Sequence, residues 1–371
     1  MIISIPKEIG AGETRVAATP ETVKKMNDWG YDIKIEKDAG RAAGFSDEEY
    51  IKAGAQVLSS PQDVYETADI ILKIRAPEES ESKFLKPGQI IIADFQALAC
   101  PERIKEFAKL KTTCFALDLM PRISRAQSMD ILSSQSNLAG YKAVLNAVNL
   151  LDKAVPMMMT AAGTIAPAKV LVLGAGVAGL QAIATAKRLG AQVFASDVRP
   201  GVKEQVESLG GRFLDIEAEA GSETAGGYAK ETSEDYKKRQ AAAVAEQLKK
   251  TDIAITTALI PGRKAPRLIT AAMLKDMPAG AVIIDMAAGS GGNVDGSVNG
   301  ETVKKHGVTI QGNSNLAAEL PQSASSLFAR NIYNFLTPMY NVERRQIEFN
   351  YADELIKATC ICRDGQILRK E

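Results

Sequence analysis

Residues 169–199 read KVLVLGAGVAGLQAIATAKRLGAQVFASDVR. Residues 170–173 are a short apolar run that predicts a buried strand. Gly174, Gly176 and Gly179 follow at once in the spacing G-x-G-x-x-G, and residues 180–189 then carry a helical pattern. A second strand, 192–196, ends at Asp197, 18 residues after Gly179. Each part has a reason. Gly174 permits a tight turn, Gly176 lets backbone approach a pyrophosphate, and Gly179 allows close helix–strand packing. The helix N-terminus offers free N–H groups and a partial positive charge to phosphates. Asp197 would accept hydrogen bonds from ribose hydroxyls and repel a 2′-phosphate, which favours NAD over NADP. A lone glycine pattern is a weak signal, but here strand, glycines, helix, second strand and terminal acid all fall in register. Arg199 is either a surface arginine or a group able to meet a 2′-phosphate, and the acid two residues before it argues against NADP.

Working outward, apolar runs alternate with amphipathic stretches along the whole chain. Residues 2–5, 33–36, 70–74, 90–93 and 113–116 predict buried strands, with helices at 20–29, 47–53 and 101–110 between them. Such alternation predicts an α/β fold with parallel sheets and crossover helices. Residues 137–153 contain no proline and predict one long helix. Beyond the glycine stretch, strands are expected at 253–257, 282–285 and 308–311, a helix after Pro321 and a hairpin around Asp364-Gly365. The reading is thus two Rossmann-like α/β domains joined by a long helix. The first spans 1–136 and is completed by a returning segment, 320–371; the nucleotide-binding domain spans 137–319. Residues 221–238, GSETAGGYAKETSEDYKK, are polar and glycine-bearing, and are expected to form a mobile loop that orders over a bound nucleotide.

Composition excludes several classes. The 371 residues hold 45 Lys+Arg and 45 Asp+Glu, so no basic excess exists for nucleic acid. The longest uncharged stretch, 170–186, is 17 residues with three glycines, short of a membrane span. The N-terminus lacks a secretory pattern, and four cysteines suggest a reducing compartment rather than a disulfide scaffold. The one histidine, His306, reads as a surface helix-end residue. Cys360 and Cys362 read as residues on alternating faces of a strand, not as a zinc site. Met157 to Met159 read as core packing, and 231–239 as a solvated helix face.

A polar cluster precedes the long helix. In PRISRAQSMDILS, residues 121–133, Gln127, Asp130 and Ser133 fall at i, i+3 and i+6, on one side if the segment is helical, with Arg122 nearby. A carboxamide, a carboxylate and a guanidinium together can hold a nicotinamide carboxamide and its ribose. The same residues also suit a polar loop entering a capped helix.

KEIGAGETRVAATP, MPRISRAQSMDILSSQSNLAGYKAV, VLGAGVAGLQAIATAKRLGA, SDVRP and GGYAKE together closely resemble the NAD(H)-binding soluble component of proton-translocating nicotinamide nucleotide transhydrogenases, over essentially the whole chain. The resemblance implies direct hydride transfer from NADH here to NADP(H) on a partner component, coupled to proton movement through a membrane subunit. It implies a homodimer held at the cytoplasmic face through its partners. With no hydrophobic anchor at its end, the chain is expected to be either the separate first alpha subunit of three-subunit bacterial enzymes or an excised domain of a longer alpha subunit. By the same resemblance, Arg122, Gln127, Asp130 and Ser133 form the nicotinamide side. Val177, Asp197, Val198, Arg199 and Leu259 belong with the nucleotide contacts, and Gly227 and Tyr228 with a closing loop.

Alanine dehydrogenases share the fold and are the rival reading. Arg15 and Lys73 match that family's substrate-binding arginine and lysine. Gln96 stands where it has a catalytic histidine, and Gly289 where it has an aspartate. Gln96 cannot shuttle a proton at any accessible pH. Hydride transfer between two nicotinamides needs no general acid or base, so the substitution suits transhydrogenation.

Overall fold

A computed structural model of the chain describes residues 1–214 and 233–369. Two compact units are present, Met1–Gln135 with Ala317–Glu371, and Ser136–Leu316. The division falls inside the helix Ile131–Leu150. Gly227, Tyr228 and most of the 221–238 loop lie outside the described residues.

The first unit holds an eight-stranded sheet. In spatial order its strands are Gln366–Ile367, Cys360–Arg363, Thr113–Ala116, Ile90–Asp94, Ile70–Arg75, Ile2–Ile5, Asp32–Glu36 and Ala55–Leu58. The six N-terminal strands are parallel, and the C-terminal hairpin adds antiparallel at Thr113–Ala116. Central strands such as Ile70–Arg75 are apolar on consecutive residues because both sheet faces are covered. One face packs on Val23, Met26, Phe328, Ile332 and Phe335, the other on Tyr65, Phe95, Ile104 and Phe107. Helix starts are written locally. Thr19 accepts from the Thr22 amide before Pro20, and Ser46 and Glu49 cap each other's backbone.

The second unit holds a seven-stranded sheet in the order Arg212–Phe213, Gln192–Ser196, Lys169–Leu173, Ile253–Thr256, Val282–Asp285, Val308–Gly312, Thr302–Lys305. All but the last strand are parallel. This is the dinucleotide-fold order 3-2-1-4-5-6 with one antiparallel edge strand added, and its switch point lies between Lys169–Leu173 and Ile253–Thr256. Gly140, in the stretch of the long helix that belongs to this unit, is required by contact. A Cβ there would sit 2.1 Å from the Ala178 carbonyl oxygen.

Several expectations need correction. The long helix starts at Ile131, six residues before 137, and ends at Leu150. Met157, Met158 and Met159 are not core: they are 60%, 45% and 78% exposed, on a hairpin of Met158–Thr160 and Gly163–Ile165. A run of three methionines has no periodicity by which a core face could be told from an open one. His306 does not end a helix. With Gly307 it makes the two-residue turn between Thr302–Lys305 and Val308–Gly312, at φ +52° and +80°. The tail hairpin turns at Asp364-Gly365 in the same way. A bulge between Cys360 and Cys362 places Cys360 in one core and Cys362, opposite Cys114, in the other. Among the described residues no cluster of His, Cys, Asp or Glu could hold a metal ion, and no helix is long and apolar enough to cross a membrane.

Candidate functional site

The glycine turn lies at the C-terminal end of Lys169–Leu173, an inner strand of the second unit's sheet beside the switch point. Gly174 is at φ +100°, its N–H donates to the Ser196 carbonyl, and Thr257 Oγ1 donates to its carbonyl at 3.0 Å. A Cβ on Gly179 would lie 1.9 Å from the Gly174 carbonyl oxygen, so helix Val177–Arg188 can start this close only on glycine. Gly176 differs: a Cβ there would meet only Arg199 Nη2, at 4.0 Å. No side chain caps this helix at Gly176. Its first N–H groups are therefore available to an anion, and the side of Gly176 facing them is open. Val177 is exposed on the first turn.

Asp197 ends the neighbouring strand and is buried. Its Oδ2 accepts from the Ala175 N–H at 2.7 Å and from Arg199 Nη2 at 2.9 Å, while Oδ1 accepts from Arg199 N and Nε, both at 2.9 Å. Burial pushes this carboxyl up, but the Arg199 hydrogen bonds and charge, with the two backbone N–H groups, win and hold it below the usual range. Arg199 is thus no bystander, contrary to its surface reading. Val198 is half-buried and Leu259 exposed. The Leu259 segment is held by a pair that sequence reasoning missed. Asn293, fully buried, accepts from the Ala258 N–H and donates to the Ala258 and Pro266 carbonyls. Asp285, also fully buried, accepts from the Asn293 N–H. The available signal was Asp285, a carboxylate that closes the apolar run 282–284.

In the first unit the polar cluster is not one helical face. Residues Ser124–Met129 form a 3₁₀ segment, Asp130 breaks it with ψ 97°, and the α-helix begins at Ile131. Asp130 and Ser133 meet because the carboxylate caps that helix, accepting from Ser133 N–H at 2.9 Å and Ser133 Oγ at 2.5 Å. Asp130 and Ser133 thus make the helix cap that the loop reading expects. Gln127 is exposed, and its side chain makes no hydrogen bond among the described residues; Arg122 is exposed too.

The buried cations of this unit are already satisfied. Arg15 grips Glu13 through Nε at 2.7 Å and Nη2 at 2.5 Å, and donates to Gln135 Oε1 at 2.8 Å. Burial pushes Glu13 up, but the Arg15 contacts outweigh it and hold the carboxyl below the usual range. Lys73 Nζ lies 3.0 Å from Glu81 Oε1 and 3.3 Å from Glu8 Oε2. Burial pulls the ammonium down, yet Glu8 and Glu81 raise it further, so Lys73 stays charged. Gln96 sits in a turn at φ +50° with its side chain exposed. Gly289 packs on Ser314, whose Oγ would lie 2.6 Å from a Cβ.

The pattern of the alanine dehydrogenase/PNT N-terminal domain matches residues 4–139, and that of the C-terminal domain residues 143–370. An NAD(P) transhydrogenase alpha-subunit polypeptide of Rhodospirillum rubrum is 50% identical over 99% of this chain and 98% of its own length. The chain belongs to the alanine dehydrogenase/PNT family, with the transhydrogenase alpha subunits. A solved transhydrogenase structure from Sinorhizobium meliloti superposes at TM-score 0.90, with 47% identity over 99% of this chain and all of that one. The alanine dehydrogenase of Methanococcus maripaludis is more distant within the family, 29% identical over 80% of this chain and 74% of its own length. Within the alanine dehydrogenase/PNT family, then, the sequence sides with the transhydrogenases, as the N-terminal and glycine-turn motifs implied.

Proposed function

We propose that this chain is the NAD(H)-binding subunit of a nicotinamide nucleotide transhydrogenase. Bound NAD(H) supplies the hydride at its nicotinamide ring, and the acceptor is NADP on a separate component. The chain's own residues bind and orient. Gly174 and Gly179 let the turn and helix pack closely, Gly176 leaves backbone open to the diphosphate, and the first turn of Val177–Arg188 donates N–H groups to it. Asp197, flanked by Val198 and Arg199, holds the adenosine ribose, with Leu259 at the next strand end. Gln127 and Asp130, with Arg122 and Ser133, hold the nicotinamide amide and its ribose, and Gly227 and Tyr228 close over them. No residue needs to move a proton. Coupling to proton translocation belongs to a membrane partner, which keeps the chain at the cytoplasmic face. A homodimer belongs to the same reading, supported by the exposed methionine hairpin, since an isolated two-stranded hairpin is marginal in water.

The observation that carries this is Gln96, an amide at a strand end where a dehydrogenase acting on an amino acid needs an acid or base. Arg15 and Lys73 agree with it, being neutralised by Glu13, Glu8 and Glu81 rather than free to grip a substrate carboxylate. The test mixes the chain with the NADP(H)-binding component and follows reduction of an NADP analogue by NADH. In parallel the chain alone is assayed with alanine and NAD. Turnover of alanine, or no transfer in the mixture, overturns the reading.

A further inference from the structure

Asn331 is a misfit in its helix. Pro321–Leu336 buries Ala324, Phe328, Ile332 and Phe335 against the core, and Asn331 lies among the buried residues at 6% exposure. Asparagine is a poor helix former, and a buried amide costs free energy unless every group on it is paired. Its pairing is specific. Asn331 Nδ2 donates to the Ser128 carbonyl at 2.8 Å, and Oδ1 accepts from Ser134 Oγ at 2.7 Å. Asn334, one turn on, donates to the same Ser128 carbonyl at 3.1 Å.

Ser128 is the residue after Gln127 and lies in the 3₁₀ segment; Ser134 lies in the first turn of Ile131–Leu150. Between them the backbone breaks at Asp130. One side chain thus grips the chain on both sides of that break, and its two hydrogen bonds fix which end of the amide faces which. The angle at which Gln127 leaves the helix start is set there, not by Gln127 itself. We infer that Asn331, through its bridge from the Ser128 carbonyl to the Ser134 hydroxyl, is the positioning residue that aims Gln127 and the Asp130 cap at the nicotinamide. This rests on the reading of Gln127 given above.

The test uses Asn331→Leu, which keeps the branched outline of the side chain and removes both hydrogen bonds. Neither partner is left unpaired, because the Ser128 carbonyl still accepts from Asn334 Nδ2 and Ser134 Oγ can still donate to the Ile131 carbonyl, so the stability loss is expected to be small. The expected result is a native melting temperature and an NADH affinity within about twofold, with single-turnover hydride transfer to the NADP component slowed about tenfold or more, as a displacement near 1 Å can do. Ser134→Ala, which removes one prong only, is expected to show a smaller loss in the same direction, and serves if Asn331→Leu does not fold. Combination with Gln127→Asn should cost less than the sum of the two, because both act on one contact. A folded Asn331→Leu at wild-type rate overturns the inference, as do additive losses or a rate that falls only in step with melting temperature and affinity. If Gln127→Asn alone keeps the wild-type rate, the nicotinamide reading of the loop fails and the inference fails with it. If Gln127→Asn is slow while Asn331→Leu and Ser134→Ala are not, the inference alone fails.

Discussion

Asp197 and Arg199 are closed on each other: Nε meets Oδ1 and Nη2 meets Oδ2, each at 2.9 Å. The Ala175 and Arg199 backbone N–H groups take the remaining acceptor positions, so all four sites of the carboxylate are used. A ribose diol can bond to Asp197 only as the arginine fork opens. The fork also neutralises the charge that would repel a 2′-phosphate. Two opposite outcomes follow. Arg199→Ala should widen the preference for NADH over NADPH, and Asp197→Asn should narrow it, each by about tenfold, or about 1.4 kcal/mol. Equilibrium titrations of both nucleotides at one salt concentration check this; a narrowed preference in Arg199→Ala would show that the arginine serves the nucleotide and does not mask the acid.

The glycine turn separates cost to the fold from cost to the ligand. Gly179→Ala forces a methyl to 1.9 Å from the Gly174 carbonyl oxygen, where backbone cannot yield cheaply. A loss of about 3 kcal/mol or more is expected, visible as a lower melting temperature without nucleotide. Gly176→Ala meets nothing nearer than 4.0 Å and should melt as wild type, yet lose NADH affinity by about tenfold or more as the methyl blocks the diphosphate. Equal melting losses in the two variants, or full NADH affinity in Gly176→Ala, would count against this division of roles.

Asp118 accepts from the Phe95 and Ala97 N–H groups, on either side of the strained Gln96. Burial, then the charge of Asp94, pushes its carboxyl up to about 6. Its folded value thus lies above the unfolded one. The stability it lends is fully present below the unfolded value near 4 and is lost as pH rises through about 6. The loss is on the order of 2–3 kcal/mol. Asp118→Asn leaves one of the two N–H groups without its acceptor and should be less stable at pH 4. Between pH 4 and 7 its denaturant midpoint should change less than that of wild type, and equal slopes would sink the assignment.

The parallel strands were readable because both their faces are buried: 2–5, 113–116 and 282–285 are apolar but for Ser4, Thr113 and Asp285, and the observed strands have those bounds. What was missed sits at edges. Thr302–Lys305 carries two lysines, Ala55–Leu58 is half exposed and Arg212–Phe213 is two residues long, so their pairing is decided by the neighbouring strand rather than by their own pattern. At the site, the glycine turn and Asp197 were legible from local spacing. The Asn331 bridge was not, because a hydrogen bond across about 200 residues, such as Asn331 to Ser128, leaves no local spacing to read; the Asp197–Arg199 fork and the Asn293–Asp285 support are close in sequence, but spacing does not say which way those side chains turn. The i, i+3, i+6 reading of residues 127–133 failed because Asp130 ends one element and caps the next.

Met157, Met159 and Ile165 stand exposed on the second unit's hairpin, with exposures of 60%, 78% and 43%. In a homodimer these apolar groups are expected to be covered. Replacement of Met157 and Met159 by serine should then shift sedimentation toward the monomer while NADH binding by the isolated chain stays within about twofold, because the glycine turn is untouched. If the wild type sediments as a monomer, or the double variant remains a dimer, the hairpin does not hold two copies together.

Gln127 and Asp130 call for different substitutions, because only one has a structural duty. Asp130 caps Ile131–Leu150, so Asp130→Ala should cost about 1 kcal/mol of stability whether or not it touches nucleotide. Asp130→Ser keeps an oxygen for the cap and removes the carboxylate, isolating any role toward the ribose. Gln127→Asn keeps the amide and shortens its reach by one methylene, with no hydrogen bond of the described fold to lose. If these groups orient the nicotinamide, Gln127→Asn should slow single-turnover hydride transfer by about 10²-fold. NADH affinity should fall only by about threefold, since the diphosphate and ribose contacts of Gly174 to Gly179 and Asp197 remain. Asp130→Ser should slow transfer with little change in melting temperature. The two quantities are measured together, the NADH dissociation constant on the isolated chain and the transfer rate with the NADP(H) component. Should affinity collapse in step with rate, or should neither change, the segment is a helix cap with a polar loop and the nicotinamide is held elsewhere.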